Sequence, residues 1–213
     1  MIRKIHSHTI DDGLLLPGDW VLDLGSRDFV FSRKMLSLGL NVIAVDPARG
    51  IVPILYCRMK KNFHFINKAC VGKKISDSLT YFEYIDWGAN SLYNKDSKHR
   101  LVQNKESDFI KSYDVDVITI AEIMDEFCVD QFGLIKIDIE GGEYDILLNF
   151  PSNCAKQITV EFHDWLGLNP YKNPEEFYKH VESTTLSDYE VKLRRRVMMS
   201  NIPTYSDVLY VLK

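Results

Sequence analysis

The sequence predicts an α/β fold: a mostly parallel sheet with helices on both faces, ending in a C-terminal antiparallel hairpin. Three observations predict it. Short apolar, β-branched runs alternate along the chain with segments of helical spacing. The first strand, helix and strand fit within about 30 residues, the span of a βαβ unit with its right-handed crossover. The last two β-rich stretches lie close enough in sequence to pair antiparallel.

Each element has its own signal. Trp20-Val21-Leu22-Asp23-Leu24-Gly25, entered from the turn pair Pro17-Gly18, reads as a buried strand. Phe29, Phe31, Met35, Leu36 and Leu38 recur at helical spacing, so Asp28 to Leu38 is a helix with Gly39 as its C-cap. Asn41 to Asp46 is a second strand, stopped by Pro47. Ile51 to Lys61 reads as a helix with Pro53 in its first turn, Phe63 to Ala69 as a strand, and Leu79 to Ile85 as an added aromatic strand. A polar loop from Asp86 to about Lys105 follows, then a short strand at Asp116 to Thr119 and a helix at Ala121 to Phe127. Leu134 to Glu140 is the clearest strand, and Gly141-Gly142 turns it into a helix from Glu143 to Leu148. Gln157 to His163 is the fifth core strand, and Pro174 to Val181 a helix with its proline suited to the first turn. Tyr189 to Met198 and Asp207 to Leu212 form the hairpin. No repeat or linker divides the chain, so one domain over 1–213 is expected, with a core at 20–165 and the last helix and hairpin in 166–213.

Composition narrows the class. With 213 residues, 46% of them hydrophobic, and a net charge of −4, the chain can bury a real core and is not a disordered polyelectrolyte. A pI near 5.9 argues against a dedicated nucleic-acid binder. Cys57, Cys70, Cys128 and Cys154 have neither zinc spacing nor the density of a disulfide framework, so free buried thiols in a reducing compartment are expected. No signal peptide is visible in Met1 to Ile10, and no apolar run approaches the roughly 18 residues of a membrane span. A soluble, cytoplasmic protein is the expectation, with no nucleic-acid partner and no membrane span.

In parallel α/β sheets ligands sit beyond the carboxyl ends of the strands. That directs attention to Gly25, Asp46, Asn67, Asp138 and His163. Gly25-Ser26-Arg27-Asp28-Phe29-Val30 keeps one glycine where a dinucleotide fingerprint needs three. Asp46 follows about 20 residues later, where a carboxylate accepts from ribose hydroxyls. A ribose-binding acid without a phosphate loop points to S-adenosylmethionine rather than a nicotinamide dinucleotide. The competing account makes Gly25 a plain turn glycine and Asp46 a helix-start acid.

Period two places Lys136, Asp138 and Glu140 on one face of their strand, where a central parallel strand is normally apolar on both faces. Thr159, Glu161 and His163 repeat the pattern on the next. Buried acids need partners, hydrogen bonds or a cationic ligand, and the sulfonium and ammonium of the proposed cofactor are cationic. If the two strands are neighbours, Asp138, Glu140, Glu161 and His163 converge at one edge of the pocket. Three roles stay open for them: His163 as general base toward a hydroxyl, a divalent-metal set, or a hydrogen-bonded network without chemistry. Glu143 reads as an acid complementing the helix dipole.

Leu134-Ile135-Lys136-Ile137-Asp138-Ile139-Glu140-Gly141-Gly142-Glu143 resembles the Lys-Ile-Asp-Val-Glu-Gly-x-Glu segment of FkbM-type methyltransferases. Val45-Asp46-Pro47 resembles their acid-Pro pair, Val160-Glu161-Phe162-His163 their following strand, and Leu79 to Phe82 with Ser91-Leu92 their aromatic strand and serine loop. The likeness runs from about Trp20 to Trp165. It implies a class I, Rossmann-like methyltransferase fold, S-adenosylmethionine as cofactor, and a hydroxyl on a sugar, glycan or natural product as acceptor. The chain departs from the family at Asp23-Leu24-Gly25-Ser26-Arg27-Asp28-Phe29, where Arg27 and Phe29 are bulky, and at Ile120-Ala121, where a Leu-Asp pair is usual.

The reading assigns Asp23, Gly25, Ser26 and Asp46 to the methionine portion and ribose, and Ala69-Cys70 to the adenine edge. Asp138 and Glu140 shape the floor beneath the sulfonium. His163, with Asp138 and Glu161, is the catalytic set. The alternatives are a cofactor-binding module of the same fold without activity, and a nicotinamide-dependent oxidoreductase. Arg194 and Arg196 read as a solvated face, Trp87, Asn90, Ser91 and Tyr93 as surface loop, and His6 and His8 as surface residues.

Overall fold

The computed structural model describes residues 1–48, 59–84, 109–164, 168–171, 173–199 and 202–213. Elements in chain order are strands β1 (Ile2–Ile5) and β2 (His8–Asp11), β3 (Trp20–Leu24), helix α1 (Val30–Ser37), β4 (Asn41–Val45), β5 (Phe63–Ile66) and β6 (Ala69–Cys70). They continue with β7 (Ser78–Tyr84), β8 (Phe109–Ile118), α2 (Ile120–Phe127), β9 (Leu134–Ile137), α3 (Glu143–Leu148), β10 (Gln157–Phe162), α4 (Pro174–Ser183), β11 (Tyr189–Met199) and β12 (Ile202–Leu212).

The main sheet has strand order β11-β12-β10-β9-β3-β4-β5. β10, β9, β3, β4 and β5 pair parallel, and β12 joins β10 and β11 antiparallel. The predicted parallel sheet with a C-terminal hairpin is therefore present, and the strands carrying Asp138 and His163 are neighbours. A three-stranded sheet, β6-β8-β7, and the β1–β2 hairpin stand beside it.

Alternation sorts the side chains into two layers. Leu22, Leu24, Ile135, Ile137, Ile158 and Val160 face α2, α3 and α4 in one apolar cluster. Val21, Val42, Ala44 and Leu134 face Phe31, Met35 and Leu36 of α1, and Ile5 and Ile10 of the N-terminal hairpin join that second cluster. Helices thus cover both faces. The hairpin is tied over β10 by a reciprocal pair of bonds: Asp11 N donates to Gln157 Oε1 (2.8 Å), and Gln157 Nε2 donates to the Asp11 carbonyl (2.9 Å).

Local chemistry explains the boundaries. Thr119 caps α2 in a full capping box with Glu122, and Asn173 with Pro174 opens α4. β9 ends at Ile137, three residues before the expected end. Glu140 (φ 55°) and Gly141 (φ 109°) turn the chain left-handed, and Glu143 takes the N–H groups of Ile139 and Gly141. The single strand expected over Phe63 to Ala69 is two, because Asn67 leaves the ladder to bond the carbonyls of Asp46 (2.7 Å) and Ala48 (3.1 Å). β8 is far longer than the short strand expected, and pairs with β7 from Phe109 to Asp116 before its last two residues pair with β6. Most of the helix expected at 51–61 and all of the loop at 86–105, with Cys57, Trp87, Asn90, Ser91 and Tyr93, lie outside the described residues, as does Trp165. No described helix is long and apolar enough to cross a membrane. Cys70 and Cys154 are buried as expected, whereas Cys128, at the C-cap of α2, is exposed.

Candidate active site

The β3–α1 turn packs directly on the β9–α3 turn. Gly25 has φ +78°, and a Cβ there would stand 1.9 Å from the Asp138 carbonyl oxygen, so no side chain fits. The N–H groups of Gly25 and Ser26 both donate to the Val45 carbonyl, at 2.9 and 3.2 Å. Arg27 (φ 36°) and Phe29 (φ 59°) are left-handed at the positions where the chain departs from the family pattern. Phe29 holds that conformation because its ring is buried edge-on against Phe63 and Phe65, with centroids at 5.8 and 5.3 Å. Asp46 is buried and accepts the Arg27 N–H and the Ala48 N–H, both at 2.9 Å. Burial pushes its carboxyl up, against the pull of those two donors. Ser26 is also buried, and its hydroxyl has no partner among the described residues.

Beneath the turn lies a charged rung. The register places Asp23, Lys136 and Thr159 side by side on three adjacent strands, on the α1 face. Ser32 of α1 donates to Asp23 Oδ2 at 2.5 Å. The Lys136 ammonium sits 3.2 Å from Asp23 Oδ1 and 3.4 Å from Asp138 Oδ2, and donates to the carbonyls of Leu24 (3.2 Å) and Gly25 (2.8 Å). Burial alone would lower the Lys136 pKa, but the two carboxylates override it and raise it. Sequence reasoning counted Lys136 among the odd charges of its strand; the structure shows it as the clamp that fixes the glycine turn.

One rung further, acids and imidazoles meet. His8 of β2 is 1% exposed, and its Nε2 lies 3.3 Å from Asp138 Oδ2. The expectation of a surface residue is corrected: the hairpin folds over β10 and β12 and carries His8 inward, edge-on to Phe31. His163 Nδ1 is 2.9 Å from Glu143 Oε1, while its Nε2 faces Glu140 Oε1 (3.4 Å) and Asp138 Oδ1 (3.9 Å). Glu143, read from sequence as a dipole-complementing acid, is fully buried and spends its carboxylate on His163 and the turn N–H groups. Burial would lower the His163 pKa, yet Glu140 and Glu143 hold it well above the ordinary value. Asp138 is held low by Lys136, His8 and His163 against its own burial. Glu161 is pushed up to about 7, first by burial and then by Asp138.

Asp138, Glu140, Glu161 and His163 therefore do converge, as the alternation suggested, although Glu140 arrives from the turn and not from the strand. Two sets place one ligand atom per residue within 4.8 Å of one another: Asp138, Glu161 and His163, and His8, Glu161 and Asp207. Ala69 and Cys70 are buried in β6, where Ala69 shares an apolar cluster with Ala48, two residues after Asp46. Burial pushes the Cys70 thiol up. The solvated-face reading is corrected for Arg194, which is half-buried 4.5 Å from the Tyr178 ring centroid of α4 and pairs with Glu182. Arg196 is exposed as expected and pairs with Glu175 at 2.9 Å.

The glycine turn, the acid after β4 and the charged strand ends lie together at the carboxyl edge of a Rossmann-like parallel sheet. The model of the FkbM methyltransferase domain matches residues 23–187, and the chain belongs to that family of S-adenosylmethionine-dependent methyltransferases. Membership sets the nicotinamide reading aside. No curated protein matches the chain. Among solved structures, the chain is similar to the magnesium protoporphyrin IX methyltransferase of Synechocystis PCC 6803 with bound SAH (TM-score 0.48, 10% identity, 92% of this chain and 75% of that one). It is similar also to the fibrillarin pre-rRNA processing protein of Methanococcus jannaschii (TM-score 0.47, 10% identity, 100% and 82%). A third is a Streptococcus thermophilus protein named as a hemolysin (TM-score 0.45, 11% identity, 93% of this chain), of whose length this chain spans 61%.

Proposed function

We propose that the protein transfers a methyl group from S-adenosylmethionine to a hydroxyl of a small-molecule acceptor of the sugar, glycan or natural-product type. The observation that carries this reading is the His163–Glu143 pair at the end of β10. A buried carboxylate fixes one ring nitrogen, and the other faces the carboxylates at the end of β9. With the positive charge of the cofactor taken up by Asp138 and Glu140, the ring has the arrangement of a general base with its orienting acid.

The remaining residues fit the cofactor. The buried Ser26 hydroxyl, without a partner among the described residues, and the Asp46 carboxylate, whose oxygens each accept one backbone bond among those residues, offer polar contacts to an amino acid portion and a ribose. Asp23 acts from below by holding Lys136, which holds the Gly25 carbonyl. Ala69 and Cys70 supply the apolar adenine edge. Asp138 and Glu140 face the positive charge, and Glu161 completes the acidic wall. When bound, S-adenosylmethionine supplies a methyl group made electrophilic by its sulfonium. A second cation among these carboxylates competes with the His163 proton for them, which favours the neutral ring. His163 Nε2 then takes the hydroxyl proton as the acceptor oxygen is aligned for displacement, so alignment and proton removal are the protein's contributions.

Calorimetric titration tests the reading. S-adenosylmethionine and S-adenosylhomocysteine should bind, and Asp46→Ala should weaken both about tenfold or more through the lost ribose bonds; absence of binding at millimolar concentration defeats it. A second reading, a binding module without turnover, is favoured by the left-handed Arg27 and Phe29 in the cofactor turn. Binding with no methyl transfer to any hydroxylated acceptor would select it.

A further inference from the structure

Glu161 and Asp207 are direct partners in the antiparallel β10–β12 register, and both side chains point to the face covered by the N-terminal hairpin. Like charges directly opposite on adjacent strands destabilise a sheet unless something positive lies between them. Asp207 is 2% exposed and its Oδ1 has no hydrogen-bond partner among the described residues. His8, delivered by β2 and 1% exposed, has an Nδ1 with no partner among the described residues, while its Nε2 faces Asp138 Oδ2 at 3.3 Å. Lys4 and Arg195 attract Asp207 from the surface, but among the described residues no ion pair joins either to it.

We propose that His8, Glu161 and Asp207 form a divalent-cation site, built where the N-terminal hairpin covers the sheet. Ligand atoms of the three lie within 4.8 Å of one another, compact enough for a single ion. One imidazole and two carboxylates suit manganese, iron(II) or zinc better than calcium. Asp138 plays the orienting part that a carboxylate commonly plays for a metal-bound histidine. The other set, Asp138, Glu161 and His163, is the poorer one. The Lys136 ammonium stands 3.4 Å from Asp138, and both nitrogens of His163 already face carboxylates. His8 and Asp207 both lie outside the span of the family match, residues 23–187. If the methyl-transfer reading holds, His8, Glu161 and Asp207 would hold the cation and Glu161 would link it to the acidic wall, where it would supply Lewis-acid chemistry toward an acceptor hydroxyl.

The test is direct binding of Mn²⁺ to the chelator-stripped full chain, by calorimetry and by loss of the free-ion electron spin resonance signal. One ion per chain is expected, with His8→Ala and Asp207→Asn each weakening it about tenfold or more. Circular dichroism and S-adenosylhomocysteine binding serve as folding controls, and Asp207→Asn keeps the test open if His8→Ala fails to fold. Absence of Mn²⁺ and Zn²⁺ binding below millimolar concentration overturns the site, as does binding lost in His163→Ala but kept in His8→Ala. Metal binding without any S-adenosylhomocysteine binding would leave this site standing while defeating the proposed function.

Discussion

His163 and Glu143 are joined through Nδ1 and Oε1 at 2.9 Å, with Glu143 fully buried and receiving the Ile139 and Gly141 N–H groups on the same carboxylate. One side chain thus shapes the β9–α3 turn and orients the ring. Glu143→Ala should therefore destabilise the fold by about 3 kcal/mol, since it strips partners from buried donors and leaves an imidazole unpaired. Glu143→Gln retains an acceptor for the turn and should lose only about 1 kcal/mol. Urea denaturation of the two variants checks the order; equal stabilities would remove Glu143 from its place in the turn.

Lys136 is the single ammonium between Asp23 and Asp138, at 3.2 and 3.4 Å, and it also holds two carbonyls of the β3–α1 turn. Removing one member of a buried pair leaves the other charge uncompensated, so Lys136→Met should cost about 3–5 kcal/mol. Asp23→Leu together with Lys136→Met should cost less than the sum of the single changes, because the second removes the charge that the first stranded. A double-mutant cycle by chemical denaturation measures the coupling. Strict additivity would mean the pair does not interact.

Gly25 occupies left-handed backbone where a Cβ would meet the Asp138 carbonyl oxygen at 1.9 Å, a backbone atom that cannot swing aside. Gly25→Ala combines strain in φ with a forced separation of the β3–α1 and β9–α3 turns. It should lower stability by about 3 kcal/mol or more. S-adenosylhomocysteine affinity should fall further than in a destabilised variant distant from the site, such as Thr119→Ala. Gly18, also left-handed (φ +89°) but with open space around it, is the control, and its alanine variant should be milder.

The parts of this architecture that were legible in the sequence are those where pattern and burial agree. β3, β4, β9 and β10 are apolar on the face that α2, α3 and α4 cover, and the rows Lys136–Asp138 and Glu161–His163 on the other face broke the expected pattern visibly enough to mark the site. The N-terminal hairpin was not legible: four residues per strand give period two no room to repeat, and His8 carries no local sign that β10 will lie beneath it. Lys136 was noticed as a charge but not as a clamp, because its partners on β3 come from 112 residues away in the chain. Glu143 was misread for a related reason: an acid in a first helical turn ordinarily serves the dipole, and only the left-handed Glu140-Gly141 turn redirects it to His163. β8 was underestimated because Lys111, Asp114 and Asp116 interrupt its apolar positions.

Thr119 and Glu122 close the capping box of α2 reciprocally: the Glu122 N–H donates to Thr119 Oγ1 (3.2 Å), and the Thr119 N–H to Glu122 Oε2 (2.8 Å). Thr119→Ala removes the cap and should cost about 1 kcal/mol. Its pH dependence follows from Glu122, whose carboxyl is lowered from 4.5 first by the Thr119 N–H, then by the Thr119 hydroxyl, with Lys74 adding to them. A carboxyl lowered on folding stabilises the fold above its unfolded value and loses that stabilisation as pH falls through the folded value. The difference between wild type and Thr119→Ala should thus be full above pH 4.5 and shrink below it. Paired urea titrations at neutral and acidic pH measure it. A difference that grows on acidification would contradict the assignment of Glu122 to the cap.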